Sequence, residues 1–235
     1  MEISRGHDEG RRVFITRGSA LLAATALLPV AAWSVSAAAG EDGVEVSAME
    51  ELMREHGVLS RLLLVYEKIL DDLTSEREVA PETLGKAADL VRCYIQEFHE
   101  KLEEEYIFPR FTNNGSELVR VLVRQHEAGR IHTHRIRRLS VEQVMGSPQN
   151  RKDLIASLRG FLGMYRPHKA REDTVLFPAF QALVPSRELD ELARTFDEKE
   201  MALFGRDGFR SVVARVEELE KTLGLFDLAQ FTQAI

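Results

Sequence analysis

His99-Glu100-Lys101-Leu102-Glu103-Glu104-Glu105-Tyr106-Ile107-Phe108-Pro109-Arg110-Phe111 returns without a gap as His168-Lys169-Ala170-Arg171-Glu172-Asp173-Thr174-Val175-Leu176-Phe177-Pro178-Ala179-Phe180. Both copies read His, three residues, Glu, a second acid, then aliphatic-Phe-Pro-x-Phe at the same offsets. A weaker echo lies upstream of each, Arg54-Glu55-His56 and Arg124-Gln125-His126. His56 to His126 and His99 to His168 are each separated by roughly 70 residues, so the period predicts a duplicated helical hairpin and not a solenoid. Residues i and i+4 share one helix face. His99 with Glu103, and His168 with Glu172, are therefore placed to converge on a single point.

The surrounding chain supplies the helices. After residue 44 apolar residues recur at three- and four-residue spacing, with no alternating strand pattern. Ser47-Ala48-Met49-Glu50 has capping-box form and opens a first helix whose one face carries Leu52, Leu59, Leu62, Leu63, Tyr66 and Leu70. Pro81 suits the first turn of a second, running to about Phe111, and Asn113-Asn114-Gly115 is a turn. A third covers 116–145 and is broken by Gly146-Ser147-Pro148; a fourth covers 150–182, interrupted and kinked at Pro167. Pro185-Ser186 opens a fifth, 186–223, whose packing face carries Leu189, Leu192, Phe196 and Leu203, before a tail at 224–235. The expected class is all-α: an up-down-up-down four-helix bundle over 45–182 with an additional C-terminal helix, and no second domain.

Composition narrows the function. The chain has 235 residues, 44% hydrophobic and 29% charged, with a mean hydropathy of -0.20, which describes a soluble globular protein. A net charge of -7 argues against a nucleic-acid binder, which needs a basic face. Cys93 stands alone, so no internal disulfide framework and no Cys-cluster zinc site is available. Its apolar helical setting predicts a buried, inert thiol.

Residues 1–39 read differently from the rest. Arg11, Arg12 and Arg17 precede an apolar run from Ser19 to Trp33, and small residues follow at Ser36-Ala37-Ala38-Ala39. That order is the signature of a cleaved export signal. The run is too short and too proline-broken to span a bilayer, so no stable membrane insertion is expected after cleavage. Arg11-Arg12-Val13-Phe14-Ile15 resembles the twin-arginine export motif, with Gly10 and Thr16 in place of its usual flanks. That route carries folded proteins, often with metal already loaded, to the periplasm or the extracellular face.

Imidazole nitrogen with carboxylate oxygen is a ligand set for iron, manganese or zinc, whereas calcium asks for oxygen alone. Two His-x-x-x-Glu pairs plus His56 and His126 would make a two-metal site in the bundle core, with the carboxylates placed to bridge. A lone His-x-x-x-Glu occurs often by chance. Here only seven histidines exist, and four occupy the four matched positions, one on each expected helix. Phe108, Phe111, Phe177 and Phe180 are read as core packing that keeps water from the site. His132 and His134 point to different helix faces and complete no pair. Arg135, Arg137 and Arg138 suit a solvated helix end. Tyr106 and Tyr165 read as core residues with a polar tip available to the site.

This pattern resembles the hemerythrin-like, HHE cation-binding family over about 45–182. The resemblance implies a non-haem di-iron centre: His56, His99, His126 and His168 as terminal ligands, Glu103 and Glu172 as bridges. Oxygen-carrying members have a further histidine four residues after the one matched by His126, where this chain has Arg130. Glu100 is the implied substitute, as an extra glutamate is in an iron-sensing branch, and an oxygen-richer site disfavours simple reversible oxygen carriage. Asp173 rivals Glu172, because the oxygen carriers use an aspartate five residues after the histidine; the internal repeat favours Glu172. Arg130 reads either as an anion or peroxide contact or as a salt bridge to a ligand carboxylate. The implied work is binding, sensing or detoxifying O2, peroxide or nitric oxide, or handling iron. A di-iron oxidase or peroxidase and a metal-stabilised accessory module are the rivals.

Overall fold

In the computed structural model, which describes residues 46–111, 116–141 and 146–232, the first helix opens at its capping box. The Ser47 hydroxyl accepts from the Glu50 amide and the Glu50 carboxylate from the Ser47 amide, so α1 (Ala48–Thr74) begins with two end donors satisfied. Pro81 starts α2, whose first part is Pro81–Leu90. The rod then continues through Val91–His99, Glu100–Leu102, Glu103–Ile107 and a final 3-10 turn Phe108–Arg110. Next come α3 (Ser116–Leu139) and α4, which begins as Pro148–Arg171 behind Ser147. It runs on through Glu172–Leu176 into Phe177–Leu183.

Glu103–Ile107 and Glu172–Leu176 are both π-helical, at equivalent places in the two repeats. A proline lies two residues beyond each of them, although Val91–His99 is also π-helical with no proline after it. Pro109 and Pro178 have no amide to donate, and the amides of Phe108 and Phe177 instead reach back five residues, to the carbonyls of Glu103 and Glu172. Glu103 and Glu172 therefore each sit at the mouth of a wide turn. Pro167, by contrast, does not interrupt its helix. It is exposed, and so is Gly163, four residues before it, where the glycine leaves room for the ring and water can reach the freed carbonyl.

Two further boundaries differ from expectation. The third helix ends at Leu139 and not at 145. The expected single helix over 186–223 is two, α5 (Ser186–Phe204) and α6 (Gly208–Leu223). Gly205 separates them at φ 80, a conformation that a side chain resists, and it ends α5 by bonding its amide to the Met201 carbonyl. A 3-10 turn, Leu228–Phe231, follows. The export-signal reading of 1–39 and the Asn113-Asn114-Gly115 turn lie outside the described residues.

Packing builds one core. α4 lies against α1 and α3, α2 against α3, and the α5–α6 pair covers α1, with α6 also reaching α2. Tyr66, Phe98, Phe161, Phe177, Phe180 and Phe196 are fully buried in it. Arg61 clasps α1 to α6 by donating to both oxygens of Glu220, at 2.8 and 2.5 Å. Cys93 is half-buried, not fully enclosed, and its burial pushes the thiol above its usual range. Among the described residues there is no strand, and no helix is long and apolar enough to cross a membrane.

Candidate metal centre

Six side chains from four helices meet in the core: His56 from α1, His99 and Glu103 from α2, His126 from α3, His168 and Glu172 from α4. All are buried, and the two glutamates are wholly inaccessible to solvent. The histidines stand in two pairs. The His56 and His99 rings are 4.6 Å apart between centroids, and those of His126 and His168 are 4.9 Å apart. Each glutamate stands between the pairs. One Glu103 oxygen is 3.7 Å from His99 Nε2 and 3.4 Å from His126 Nε2. One Glu172 oxygen is 3.4 Å from His56 Nε2 and 3.1 Å from His168 Nε2. The i,i+4 spacing places each carboxylate one turn from its own histidine, and packing brings in the other.

The far ring nitrogens are also held. His99 Nδ1 faces Glu55 Oε2 at 2.6 Å and His56 Nδ1 faces Asp173 Oδ1 at 2.6 Å. His126 Nδ1 faces Glu104 Oε1 at 3.1 Å and His168 Nδ1 faces Gln125 Oε1 at 3.0 Å. With an oxygen against each Nδ1, a neutral ring carries its proton there and turns Nε2 inward, where its lone pair can meet an ion. Phe177 stacks on His56 at 5.4 Å and Phe108 on His126 at 5.4 Å, sealing the same two rings in both halves.

The four outer oxygens were visible in the repeat as the residue before each upstream histidine and the second acid of each downstream motif. Their role was not, because each serves a histidine on another helix. Asp173 is thereby placed behind His56, with Lys169 on its other oxygen at 3.0 Å, while Glu172 occupies the centre.

The donors lack partners. His56 Nε2, both oxygens of Glu103 and both of Glu172 are buried without a hydrogen bond. Such atoms cost about 1–3 kcal/mol each, more when charged, unless an ion takes them. Two groups hold ligand atoms within 4.8 Å of one another, Glu103-His126-His168-Glu172 and His56-His99-Glu103, and Glu103 belongs to both. The residues therefore fit a metal, and their mixed nitrogen and oxygen donors suit a transition ion over calcium.

Burial opposes charge on His56, but Asp173 and Glu172 outweigh it and raise the ring to about 9. Burial likewise opposes charge on His126, and Glu100 and Glu103 raise it to about 10. Burial, followed by the charge of His56, holds His99 well below its usual range, in the neutral form that ligates. Burial and the neighbouring Glu172 push Glu103 up; burial also acts on Glu172, but His168 and His56 overcome it and hold that carboxyl down. The acids around His56 and His126 draw positive charge onto those two rings.

Glu100 is buried next to this centre, and its Oε2 has no hydrogen bond. Tyr165 donates to one of its oxygens at 2.5 Å, and Arg130 lies 2.8 Å from the other. Arg130 also bonds Glu104, so the arginine makes a salt bridge to two carboxylates. Glu100, Glu104 and His126 form a third close group. Gln96 donates to Tyr165 Oη at 3.3 Å and to Thr133 at 2.9 Å, completing a buried chain from α2 to α4. Gly129 admits the phenol: a Cβ there would lie 2.1 Å from Tyr165 Oη. His132 is packed over Gly160 and His134 lines a peripheral cavity, so neither joins the cluster.

The Hemerythrin HHE cation binding domain matches residues 47–180, more than half of the chain, and spans all six of these side chains. The chain belongs to that family. It is 38% identical over 194 residues to an uncharacterized protein of Mycobacterium tuberculosis (strain H37Rv) and to one of Mycobacterium bovis, covering 82% of this chain and 76% of each relative. No solved structure matches it. The family match ends before α5, so the two helices that cover α1 lie beyond the matched HHE domain.

Proposed function

We propose that this chain is an exported non-haem di-iron protein of the cell envelope that binds, senses or detoxifies O2, peroxide or nitric oxide, or handles iron. The crossed arrangement carries the reading: each unpartnered carboxylate stands between one histidine of each pair. His56 and His99 would hold one ion and His126 and His168 the other, with Glu103 and Glu172 shared, inside an up-down-up-down bundle over 45–182. Bound iron would supply electron exchange with a small oxidant.

The chain's own residues do the rest. Glu55, Asp173, Glu104 and Gln125 orient the imidazoles; Phe108 and Phe177 exclude water; Arg130 neutralises the two acids nearest His126. Glu100, whose Oε2 has no hydrogen bond, would be the further ligand on the His126 side. A cavity of about 350 Å3 lined by Gln96, Lys101, Arg130 and Thr133 gives a small ligand room to approach that side. The buried phenol of Tyr165 on Glu100 favours, as a second reading, a di-iron oxidase or peroxidase, which sustained turnover of peroxide would distinguish.

Protein made in iron-replete medium is expected to carry about two irons per chain by elemental analysis. Stoichiometric zinc without iron would overturn the redox reading. For export, Arg11→Lys with Arg12→Lys is expected to hold the precursor in the cytoplasm, since the twin-arginine route reads that pair. Undisturbed appearance of the mature protein outside would assign the general secretory route.

A further inference from the structure

The two halves of the centre are related by the repeat, but the oxygens behind the four histidines differ between the halves. Glu55 and Gln125 are equivalent positions, each preceding a histidine and each holding the Nδ1 of the histidine on the next rod. One is an acid and the other a neutral amide. Asp173 and Glu104 are the other equivalent pair. Asp173 answers to a single cation, Lys169, whereas Glu104 is bonded by both Lys101 and Arg130. The imidazoles of His56 and His99 thus lean on two carboxylates, one of them buried with a free oxygen. Those of His126 and His168 lean on a doubly neutralised carboxylate and an amide.

A carboxylate on Nδ1–H draws the proton toward itself and makes Nε2 the stronger donor; an amide oxygen does so less. The negative charge of Asp173 also attracts the cation across a low-dielectric core. Both effects act in the same direction. We propose that the two metal positions are unequal, with His56–His99 the tightly held one and His126–His168 the exchangeable one, and that the residue setting the difference is Gln125. This rests on the two-ion reading above. Gln125 touches no metal; it acts through His168 as a positioning residue.

The test is anaerobic titration of metal-free full-length protein with Co(II), followed by its visible absorption and by calorimetry. Two steps are expected, with affinities about tenfold or more apart, the usual scale for a partner behind a ligating histidine. Gln125→Glu should tighten the weaker step and bring the two within about threefold, and Glu55→Gln should weaken the tighter one, both by the same outer-partner effect. His168→Ala should abolish the weak step and leave the tight one. Both amide–acid exchanges keep shape, and thermal melts confirm that each variant folds. Equal affinities in the unaltered protein, an unchanged ratio in Gln125→Glu, or loss of the tight step in His168→Ala would each overturn the inference while leaving a two-ion centre intact. No cobalt binding at all would instead overturn the metal reading itself.

Discussion

At the scale of single residues, the site depends on histidines whose two nitrogens have different tasks. Removing His99 or His168 leaves a buried carboxylate facing a gap, so Ala at either position is expected to lose at least one metal and to lower thermal stability. His132→Ala, which alters a ring packed on Gly160, should do neither to the metal content. Elemental analysis and a melting curve for the three variants check this; full occupancy in His168→Ala would remove that residue from the ligand set. Gly129 offers a sharper probe of the Tyr165–Glu100–Arg130 chain. Its Cβ would overlap the phenol, and Tyr165 is fully enclosed by its neighbours. Gly129→Ala is expected to cost about 1–3 kcal/mol from overpacking. It should also shift the tyrosine absorption and fluorescence as the bond to Glu100 breaks. A variant as stable as its parent with an unchanged tyrosine signal would contradict this packing.

At the scale of elements, α5 docks on α1 through acids as well as apolar groups. Burial, then the charges of Asp197 and Glu200 on α5, push Glu51 up to about 8, against a partial counterweight from Arg54. Raised in the folded protein, such a carboxyl stabilises the fold while protonated. The folded state then binds the extra proton between the ordinary glutamate value and about 8, and stability falls as pH rises through that window. Denaturant titrations of the metal-free protein at pH 5 and pH 8 should differ by on the order of 2 kcal/mol in favour of pH 5 from this group alone. In Glu51→Gln that difference should shrink by a like amount. An identical pH dependence in the variant would place the charge elsewhere. The π-turns belong to this scale too: they recur at the same place in both repeats and begin at Glu103 and Glu172.

At the scale of the whole molecule, the metal and the fold share one core. The unfolded chain offers no preformed site, so affinity for the ions is also stability. Chelation is expected to lower the melting temperature of the loaded protein by roughly 5–15 °C, the size that about 2–4 kcal/mol implies for a domain of this length. Re-addition of Fe(II) under anaerobic conditions should restore it, and calorimetry with and without chelator reads the change. An unchanged melting temperature after complete metal removal would mean that the centre contributes nothing to the fold.

Much of this was legible in the chain before folding was considered. Apolar spacing made it helical, the Ser47–Glu50 box and Pro81 marked helix starts, and the repeated His-x-x-x-Glu put two candidate ligand pairs on two helix faces. These are local properties, set within one or two turns, and local sequence suffices for them. The break at Gly205 was equally local and went unread, because the apolar pattern of 186–223 runs on through it. Other features depended on groups far apart in the chain. Glu55 meets His99 and Asp173 meets His56 only because packing crosses the rods. Arg130 became a neutralising partner of Glu100 and Glu104 for the same reason, as α3 lies against α2. The sequence alone determined which residues were available as ligands. Tertiary structure decided which nitrogen each histidine presents and how much charge stands behind it, because both depend on a neighbour that only the folded core supplies.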